Sequence, residues 1–227
     1  MKLSVLYEDN HLLAVDKPAG VPTMGAAPGV ESMVDHAKHY LAEKYNKPGA
    51  VYLGVVSRLD APVSGVLLLA RTSKAAARLT EAFRQRQVEK TYLAAVEGQP
   101  DPADQHLVHY LRKDERQKRM HTTHADAPDA KRAELTFETV EHHPQHSVLK
   151  IELGTGRKHQ IRVQLAKIGH PILGDTRYGG PEGFPVGIAL HARQLQLEHP
   201  VRREPLEVTA PLPASWHRLT TASRRHV

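Results

Sequence analysis

The sequence predicts an α+β fold, and three observations support this. Apolar and polar residues alternate over 133–140 and 147–153, a pattern typical of two half-buried strands lying side by side. Apolar residues recur at helical spacing in three other segments, 32–45, 73–86 and 158–168. No Ser/Gly-rich linker or internal repeat divides the 227 residues, so we expect a single domain over 1–213 and a basic C-terminal tail over 214–227.

The first hundred residues are interpreted from local patterns. Residues 12–15 predict a short buried strand, and the Pro and Gly of 16–22 mark a tight loop after it. The helix predicted from Ser32 ends before the Asn-Lys-Pro-Gly segment at 46–49. Strands are then predicted at 51–56, 66–71 and 91–97, with a helix over 73–86 that Thr72 or Ser73 can cap.

The second half of the chain is more polar. Residues 101–131 predict loops and short surface strands, and the two alternating segments follow them. The helix over 158–168 is ended by Gly169, and a loop occupies 170–175. Two further short strands are predicted at 188–190 and 194–197.

Composition excludes several classes of protein and site. The absence of cysteine excludes disulfide scaffolds, thiolate zinc sites and cysteine nucleophiles. The longest apolar run, 66–70, is far shorter than the ~20 residues of a membrane span, and Glu8 and Asp9 come too early for a signal peptide. No HExxH occurs, and the His-rich segment 142–146 has no companion carboxylates at ligand spacing. We therefore expect a soluble, cytoplasmic protein with no membrane contact and no metal site.

Charge is unevenly distributed along the chain. There are 31 Lys and Arg against 25 Asp and Glu, a net of +6. The first 60 residues contain 6 basic and 7 acidic side chains, a net of −1, so the surplus lies after them. Basic clusters occur at 112–113, 116–119, 157–158 and 202–203. Such clusters suit a phosphate-rich partner but are equally typical of solvated surface, and charge alone leaves both interpretations open.

Three segments contain candidate chemistry. Asp60 lies in Arg-Leu-Asp at 58–60, between two predicted strands, where its carboxylate would be held rigidly yet stay reachable; a lone Asp before a proline more often just starts a turn. The Gly-Thr-Gly-Arg-Lys-His segment at 154–159 lacks the third glycine of a dinucleotide loop and instead opens a helix with cations, which suits phosphate or carboxylate. Tyr92, in Lys-Thr-Tyr at 90–92, would by itself be assigned to the core.

Taken together, these segments resemble the RluA family of uridine-to-pseudouridine isomerases. The family's Arg-Leu-Asp, followed three residues on by Ser-Gly and an aliphatic strand, matches 58–69. Its Lys-Pro-x-Gly, Lys-x-Tyr and Gly-Arg-x-His-Gln-Ile-Arg segments match 17–20, 90–92 and 156–162. Its Gly-His-Pro-Ile-Leu-Gly-Asp and Leu-His-Ala signatures match 169–175 and 190–192. The matches occur in the family's order from about residue 5 to residue 213.

The resemblance implies a fold and a set of roles. The fold would be the pseudouridine synthase fold, a mixed, mainly antiparallel central sheet flanked by helices. Asp60 would be the nucleophile on a flipped-out uridine, Arg162 its paired cation, and Tyr92 the residue that stacks on the base and assists proton transfer. The reaction needs no cofactor, and the expected partner is structured RNA, a ribosomal or transfer RNA stem-loop, bound by a monomer. The implied site residues are catalytic Asp60, Tyr92 and Arg162 and RNA-binding Arg58, Leu190, Arg157 and Lys158.

Two departures and two alternatives bear on this interpretation. Relatives commonly have His and Thr where this chain has Ser57 and Val63, so we expect substrate choice or loop packing to differ before chemistry is lost. The family match already begins at Leu12, so we expect no small RNA-binding domain ahead of it. A hydrolase using Asp60 would usually need a second positioned carboxylate. A non-catalytic RNA-binding module would leave an acid within the most specific motif unexplained.

Overall fold

The computed structural model describes residues 1–25, 27–46 and 48–219, which contain eleven strands and three α-helices. Two short 3-10 turns, Thr176–Tyr178 and Ala214–Trp216, complete the regular structure of these residues. The helices are α1 (Met33–Lys44), α2 (Ser73–Arg84) and α3 (Gln160–Lys167). The strands are β1 (Val5–Glu8), β2 (Leu12–Lys17), β3 (Gly54–Val55), β4 (Ser64–Ala70), β5 (Glu89–Glu97), β6 (Asp104–Asp114), β7 (Arg119–Thr123), β8 (Lys131–His142), β9 (His146–Leu153), β10 (Leu190–Glu198) and β11 (Pro205–Thr209).

The chain divides into two compact units. Unit 1 contains Met1–Lys90 and Ala192–Pro213, and unit 2 contains Thr91–His191 and the segment from Ala214 onward. Trp216 in that segment is buried, with 1% of its surface exposed, while residues 220–227 lie outside the described residues. The predicted domain limits, 1–213 with a tail over 214–227, stay a prediction.

Unit 1 is a sheet with a helix on each face. Its strands run in the order β1, β2, β4, β10, with β3 also paired to β4 and β11 to β10. Strand β4 is antiparallel to β2, from Leu12 opposite Ala70 to Lys17 opposite Gly65. Every residue of β4 is buried, because Val66 and Leu68 pack in one apolar cluster with residues of α2 while Leu67 and Leu69 pack in another with residues of α1. Burial on both faces accounts for the continuous apolar run in the sequence.

Gly65 marks a close approach of backbones within this sheet. Its φ is +113°, and a Cβ built there would lie 2.2 Å from the carbonyl oxygen of Ala192 in β10. Only glycine satisfies both conditions. The Ser-Gly pair of the sequence motif therefore starts the central strand directly after the Asp60 loop.

Unit 2 is an antiparallel sheet in the order β5, β9, β8, β6, β7. Its buried face contains Leu111, Met120 and Ala133, which cluster with Val163 of α3. Strand β6 has eleven residues, whereas the sequence indicated only loops and short strands over 101–131. Its apolar signal is sparse, because only Leu107 and Leu111 of β6 are buried and the remainder are polar or solvated.

The α+β class and the mainly antiparallel pairing are confirmed. Strands β1 and β11 were not predicted, and β10 is one continuous strand where the sequence indicated two short ones. Both missed strands are short, and β11 starts with proline, which weakens the strand signal. Within the described ranges, no helix has the length and apolarity to span a membrane.

Candidate active site

Asp60 lies on a loop between β3 and β4 whose backbone is held by unit 1. The Thr23 hydroxyl donates to the Leu59 carbonyl oxygen at 2.8 Å and accepts the Leu59 N–H at 3.2 Å. The Asp60 carbonyl accepts the Val63 N–H at 3.0 Å, which closes a turn. The N–H and the carbonyl of Leu59, the residue before Asp60, are thus both hydrogen-bonded to the buried Thr23 hydroxyl. The Asp60 backbone has little freedom as a result.

Lys17 fastens the same loop from the other side. Its ammonium group donates to the carbonyl oxygens of Pro18 at 2.9 Å, Val21 at 2.7 Å and Ala61 at 3.0 Å, and none of its surface is exposed. The Ala61 carbonyl also accepts the Gly20 N–H at 2.8 Å. The Lys-Pro-x-Gly loop is therefore attached directly to the residue after Asp60.

Lys17 also contributes charge to this region. Burial lowers the pKa of Lys17 to about 8, and the nearby Asp60 carboxylate acts in the opposite direction by favouring the charged ammonium. At neutral pH the loop thus has a buried cation beneath a carboxylate. In the sequence, Lys17 belongs to the matched Lys-Pro-x-Gly segment, and the motif by itself indicates no role for it. A lysine reveals its burial only through the fold.

The Asp60 side chain remains accessible. Asp60 is half-buried and Arg58 is exposed. Val63, one of the two departures from the family pattern, is 3% exposed and belongs to the packed interior behind the loop. Unit 1 thus presents the Asp60 carboxylate and the long cationic side chain of Arg58, two residues apart, on a fixed backbone.

Arg162 lies in the first turn of α3 and is deeply buried in unit 2. Its Nε donates to Oδ2 of Asp175 at 2.6 Å and its Nη2 to Oδ1 at 2.8 Å, with 6% and 1% of the two side chains exposed. The Tyr178 ring centroid lies 5.0 Å from the guanidinium carbon. This bidentate geometry orients the guanidinium plane. Asp175 is the last residue of the matched segment 169–175, and the sequence alone does not indicate that it pairs with Arg162.

The start of α3 is fastened through Gln160. Its Oε1 accepts the Thr155 hydroxyl at 2.7 Å and the Arg157 N–H at 2.9 Å, while its Nε2 donates to the Glu134 carbonyl at 2.9 Å. Arg157 and Lys158 are exposed immediately before the helix, and the Arg157 Nε donates to the Arg132 carbonyl oxygen at 3.0 Å. Both cations are therefore available at the surface of unit 2.

Tyr92 and Leu190 also belong to unit 2. Tyr92 is half-buried in β5, opposite Ile151 of β9. Leu190 begins β10 and is 3% exposed. The structure thus groups Arg58 and Asp60 with Lys17 in unit 1. Arg162, Tyr92 and Leu190 are in unit 2, and the pairing of Arg162 with Asp60 stays a prediction.

A metal site would need several His, Asp or Glu side chains close together. Across residues 1–25, 27–46 and 48–219, no three or more His, Asp or Glu side chains form a group that could hold a metal ion. His142 and His143 belong to the β8–β9 turn region, where the His143 and His146 rings stack at 4.3 Å.

Comparisons with known proteins agree with one another. Residues 11–167 match the family model described as RNA pseudouridylate synthase. A ribosomal large subunit pseudouridine synthase D of Xanthomonas campestris is 36% identical over 243 residues, covering 98% of this chain and 70% of that protein. The protein of the same name from Yersinia pestis is 35% identical over 242 residues, covering 97% and 70%. The solved structure of human RNA pseudouridylate synthase domain containing 4 is similar with a TM-score of 0.78 at 25% identity, covering 95% of this chain and 92% of that one.

Proposed function

The chain belongs to the RNA pseudouridylate synthase family, and we propose that it isomerises a uridine of ribosomal RNA with Asp60 as the nucleophile on a flipped-out nucleotide. Relatives that are similar over nearly the whole chain bear the name ribosomal large subunit pseudouridine synthase, which favours ribosomal over transfer RNA. A monomeric state and a cytoplasmic location accompany this proposal as predictions.

The reaction exchanges one bond to the sugar for another. The bond from C1′ to N1 of uracil breaks, the base turns, and C5 bonds to C1′ while a proton moves from C5 to N1. A carboxylate can form a transient bond to C1′ as uracil leaves and is released when C5 attacks. No electron is gained or lost, so the step requires no redox cofactor.

The single observation that supports Asp60 in this role is that hydrogen bonds hold its loop on both sides of the residue. Thr23 holds the preceding peptide groups and Lys17 holds the following carbonyl, so the carboxylate is presented without loop rearrangement. Preorganisation of this kind lowers the barrier because the reacting group is already oriented.

Other residues take roles around the nucleotide. Exposed Arg58 would fill the space that the flipped base vacates, and Tyr92 would stack on the base. Buried Leu190 would supply an apolar wall, and Arg162 would pair with the Asp60 carboxylate. Surface cations at Arg157 and Lys158 would contact phosphates.

A test uses Asp60→Ala with in vitro transcribed large-subunit ribosomal RNA and transfer RNA as substrates. Pseudouridine is mapped by carbodiimide derivatisation and primer extension, and RNA binding is measured in parallel. We expect Asp60→Ala to fold and bind RNA but to form no pseudouridine. Asp126→Ala, which changes an exposed acid, serves as the matched control and should retain full activity.

The outcomes separate the alternatives. Turnover by Asp60→Ala near the rate of the unaltered protein would contradict the nucleophile assignment. Release of free uracil in place of pseudouridine would support glycoside hydrolysis. Modification of transfer RNA alone would contradict the ribosomal assignment while leaving the chemistry intact.

A further inference from the structure

One short turn contributes two contacts to the Arg162 guanidinium. Asp175 holds the Nε–Nη2 edge at 2.6 and 2.8 Å, and the Tyr178 ring lies 5.0 Å from the central carbon. The two residues are three apart: Asp175 directly precedes the 3-10 turn Thr176–Tyr178, and Tyr178 is the last residue of that turn. The Tyr178 ring faces the guanidinium and the Asp175 carboxylate bonds its edge. Together the two contacts restrict both the tilt and the rotation of the guanidinium.

The turn itself is tightly held. The Asp175 carbonyl accepts the N–H groups of Tyr178 at 3.0 Å and Gly180 at 2.9 Å. A Cβ built on Gly180 would lie 2.0 Å from the Ile172 carbonyl oxygen, so no side chain fits there. Because the Asp175 carbonyl bonds the Tyr178 N–H directly, the positions of Asp175 and Tyr178 are set together.

The Tyr178 hydroxyl reaches a different element. It accepts the N–H of Met120 at 3.0 Å and hydrogen-bonds Nδ1 of His159 at 2.7 Å. Met120 belongs to β7, the last strand of the unit 2 sheet, and within the described residues no further strand lies beside β7 to pair with its outward N–H groups. The hydroxyl therefore anchors the edge of the β6–β7 hairpin, while the ring of the same side chain contacts Arg162.

The hairpin presents cations to solvent. Arg112 lies opposite His121, and Arg119 lies opposite Asp114. Both arginines are exposed and point to the face opposite Leu111 and Met120, because neighbouring residues of a strand alternate between faces. A phosphate held by these arginines would thus be bound by the element that Tyr178 anchors.

We propose that Tyr178 is a positioning residue that couples the β6–β7 hairpin to Arg162. The ring orients the guanidinium, and the hydroxyl holds the hairpin in the position from which it binds RNA. This inference rests on the proposed function, since it takes Arg162 as a catalytic residue and the hairpin as an RNA contact.

Two variants separate the two parts of the side chain. Tyr178→Phe keeps the ring over Arg162 and removes the hydroxyl, whereas Tyr178→Leu removes both. Tyr7→Phe is the matched control, since it deletes a tyrosine hydroxyl that donates to Asp9 in unit 1. For each protein we would measure the single-turnover rate at saturating RNA, the RNA concentration giving half that rate, and amide hydrogen exchange at Met120 without RNA.

Loss of the hydroxyl should speed exchange at Met120 by about threefold to tenfold, the effect of one lost hydrogen bond. Tyr178→Phe should raise the half-saturating RNA concentration by a similar factor and leave the saturated rate within about twofold of the unaltered protein. Tyr178→Leu should in addition lower the saturated rate by about tenfold, whereas Tyr178→Phe, which keeps the ring, should not. Tyr7→Phe should change none of the three quantities.

Equal effects of Phe and Leu on the saturated rate would overturn the role of the ring. Unchanged exchange and unchanged half-saturation in Tyr178→Phe would overturn the coupling. Exchange at Met120 is measured on the free protein, so it tests the hydroxyl contact even if the chain forms no pseudouridine. Absence of pseudouridine from the unaltered protein would instead contradict the proposed function.

Discussion

The side chain of Lys17 has no exposed surface, yet its pKa of about 8 leaves it protonated at neutral pH. A buried ammonium is tolerated only where acceptors replace its hydration. Three backbone carbonyls do so, and one of them belongs to the residue that follows Asp60. One side chain therefore links the stability of unit 1 to the placement of the candidate nucleophile.

Replacing Lys17 with Met should test that link. The variant loses all three hydrogen bonds that the Lys17 ammonium donates, to the carbonyls of Pro18, Val21 and Ala61. The Ala61 carbonyl still accepts the Gly20 N–H. We expect the free energy of unfolding to fall by about 3 kcal/mol. We also expect pseudouridine formation to fall at least about tenfold, because the loop loses its anchor.

Urea unfolding and single-turnover assays at a temperature where the variant is folded would measure both effects. Lys74→Met, at an exposed position in the first turn of α2, is the control and should match the unaltered protein. A Lys17→Met protein with full stability and full activity would contradict the anchoring role.

At the scale of elements, Glu8 joins β1 to α1 and to the end of β4. Its carboxylate accepts hydrogen bonds from the Tyr40 hydroxyl and the Lys44 ammonium, both at 2.7 Å. It also accepts the Tyr45 hydroxyl at 2.6 Å and the Arg71 guanidinium at 3.1 Å. Burial alone would raise the pKa of Glu8, but the hydrogen bonds from Lys44, Tyr45 and Tyr40 lower it to about 2. The native state thus strongly prefers the ionised form.

Glu8 should make unit 1 sensitive to acid. Because the folded pKa of about 2 lies below the usual 4.5, the stabilisation is complete above pH 4.5 and is lost as pH falls toward 2. The difference in unfolding free energy between the unaltered protein and Glu8→Gln should therefore shrink between pH 4.5 and 2. Urea unfolding across that range, with exposed Glu43→Gln as control, checks it. A difference independent of pH would assign the effect of the substitution to packing.

At the scale of the whole molecule, the net charge of +6 favours RNA through the release of counterions from phosphates. Two of the basic clusters in the sequence contain candidates for such contacts, and we expect these to be Arg112, Lys113, Lys118 and Arg119. The structure divides this group, because Arg112 and Arg119 share one face of the hairpin whereas Lys113 lies opposite Met120 and pairs with Glu115 at 2.6 Å. The two arginines are therefore the stronger candidates.

Neutralising Arg112 and Arg119 to Gln should reduce the slope of log K against log salt by about one for each lost contact. The matched control is the pair Lys2→Gln and Lys74→Gln, which removes the same two charges from exposed positions in unit 1. Filter binding or fluorescence anisotropy at several salt concentrations measures the slopes. Equal slopes for the two double variants would mean that net charge alone, rather than the hairpin, determines binding.

Elements that depend on local pattern were predictable. Helices α1 and α2 follow from apolar spacing and from Ser32 and Thr72, whose side chains accept N–H groups at the helix starts. Strand β4 follows from its apolar run, and Asp60 from its motif. Strands β6 and β7 were underestimated, because a sheet with one solvated face leaves only a few buried apolar residues to mark it.

The sequence by itself determined the fold class, the family and the acid at the centre of the proposed reaction, because these depend on residues close together in the chain. The tertiary structure decided that Lys17 is buried beneath the Asp60 loop, that Asp175 holds Arg162, and that Tyr178 reaches both Arg162 and Met120. Residue type does not reveal which lysine is buried or which acid pairs with which arginine. Those contacts join residues 13 to 58 positions apart and exist only once the strands and helices have packed.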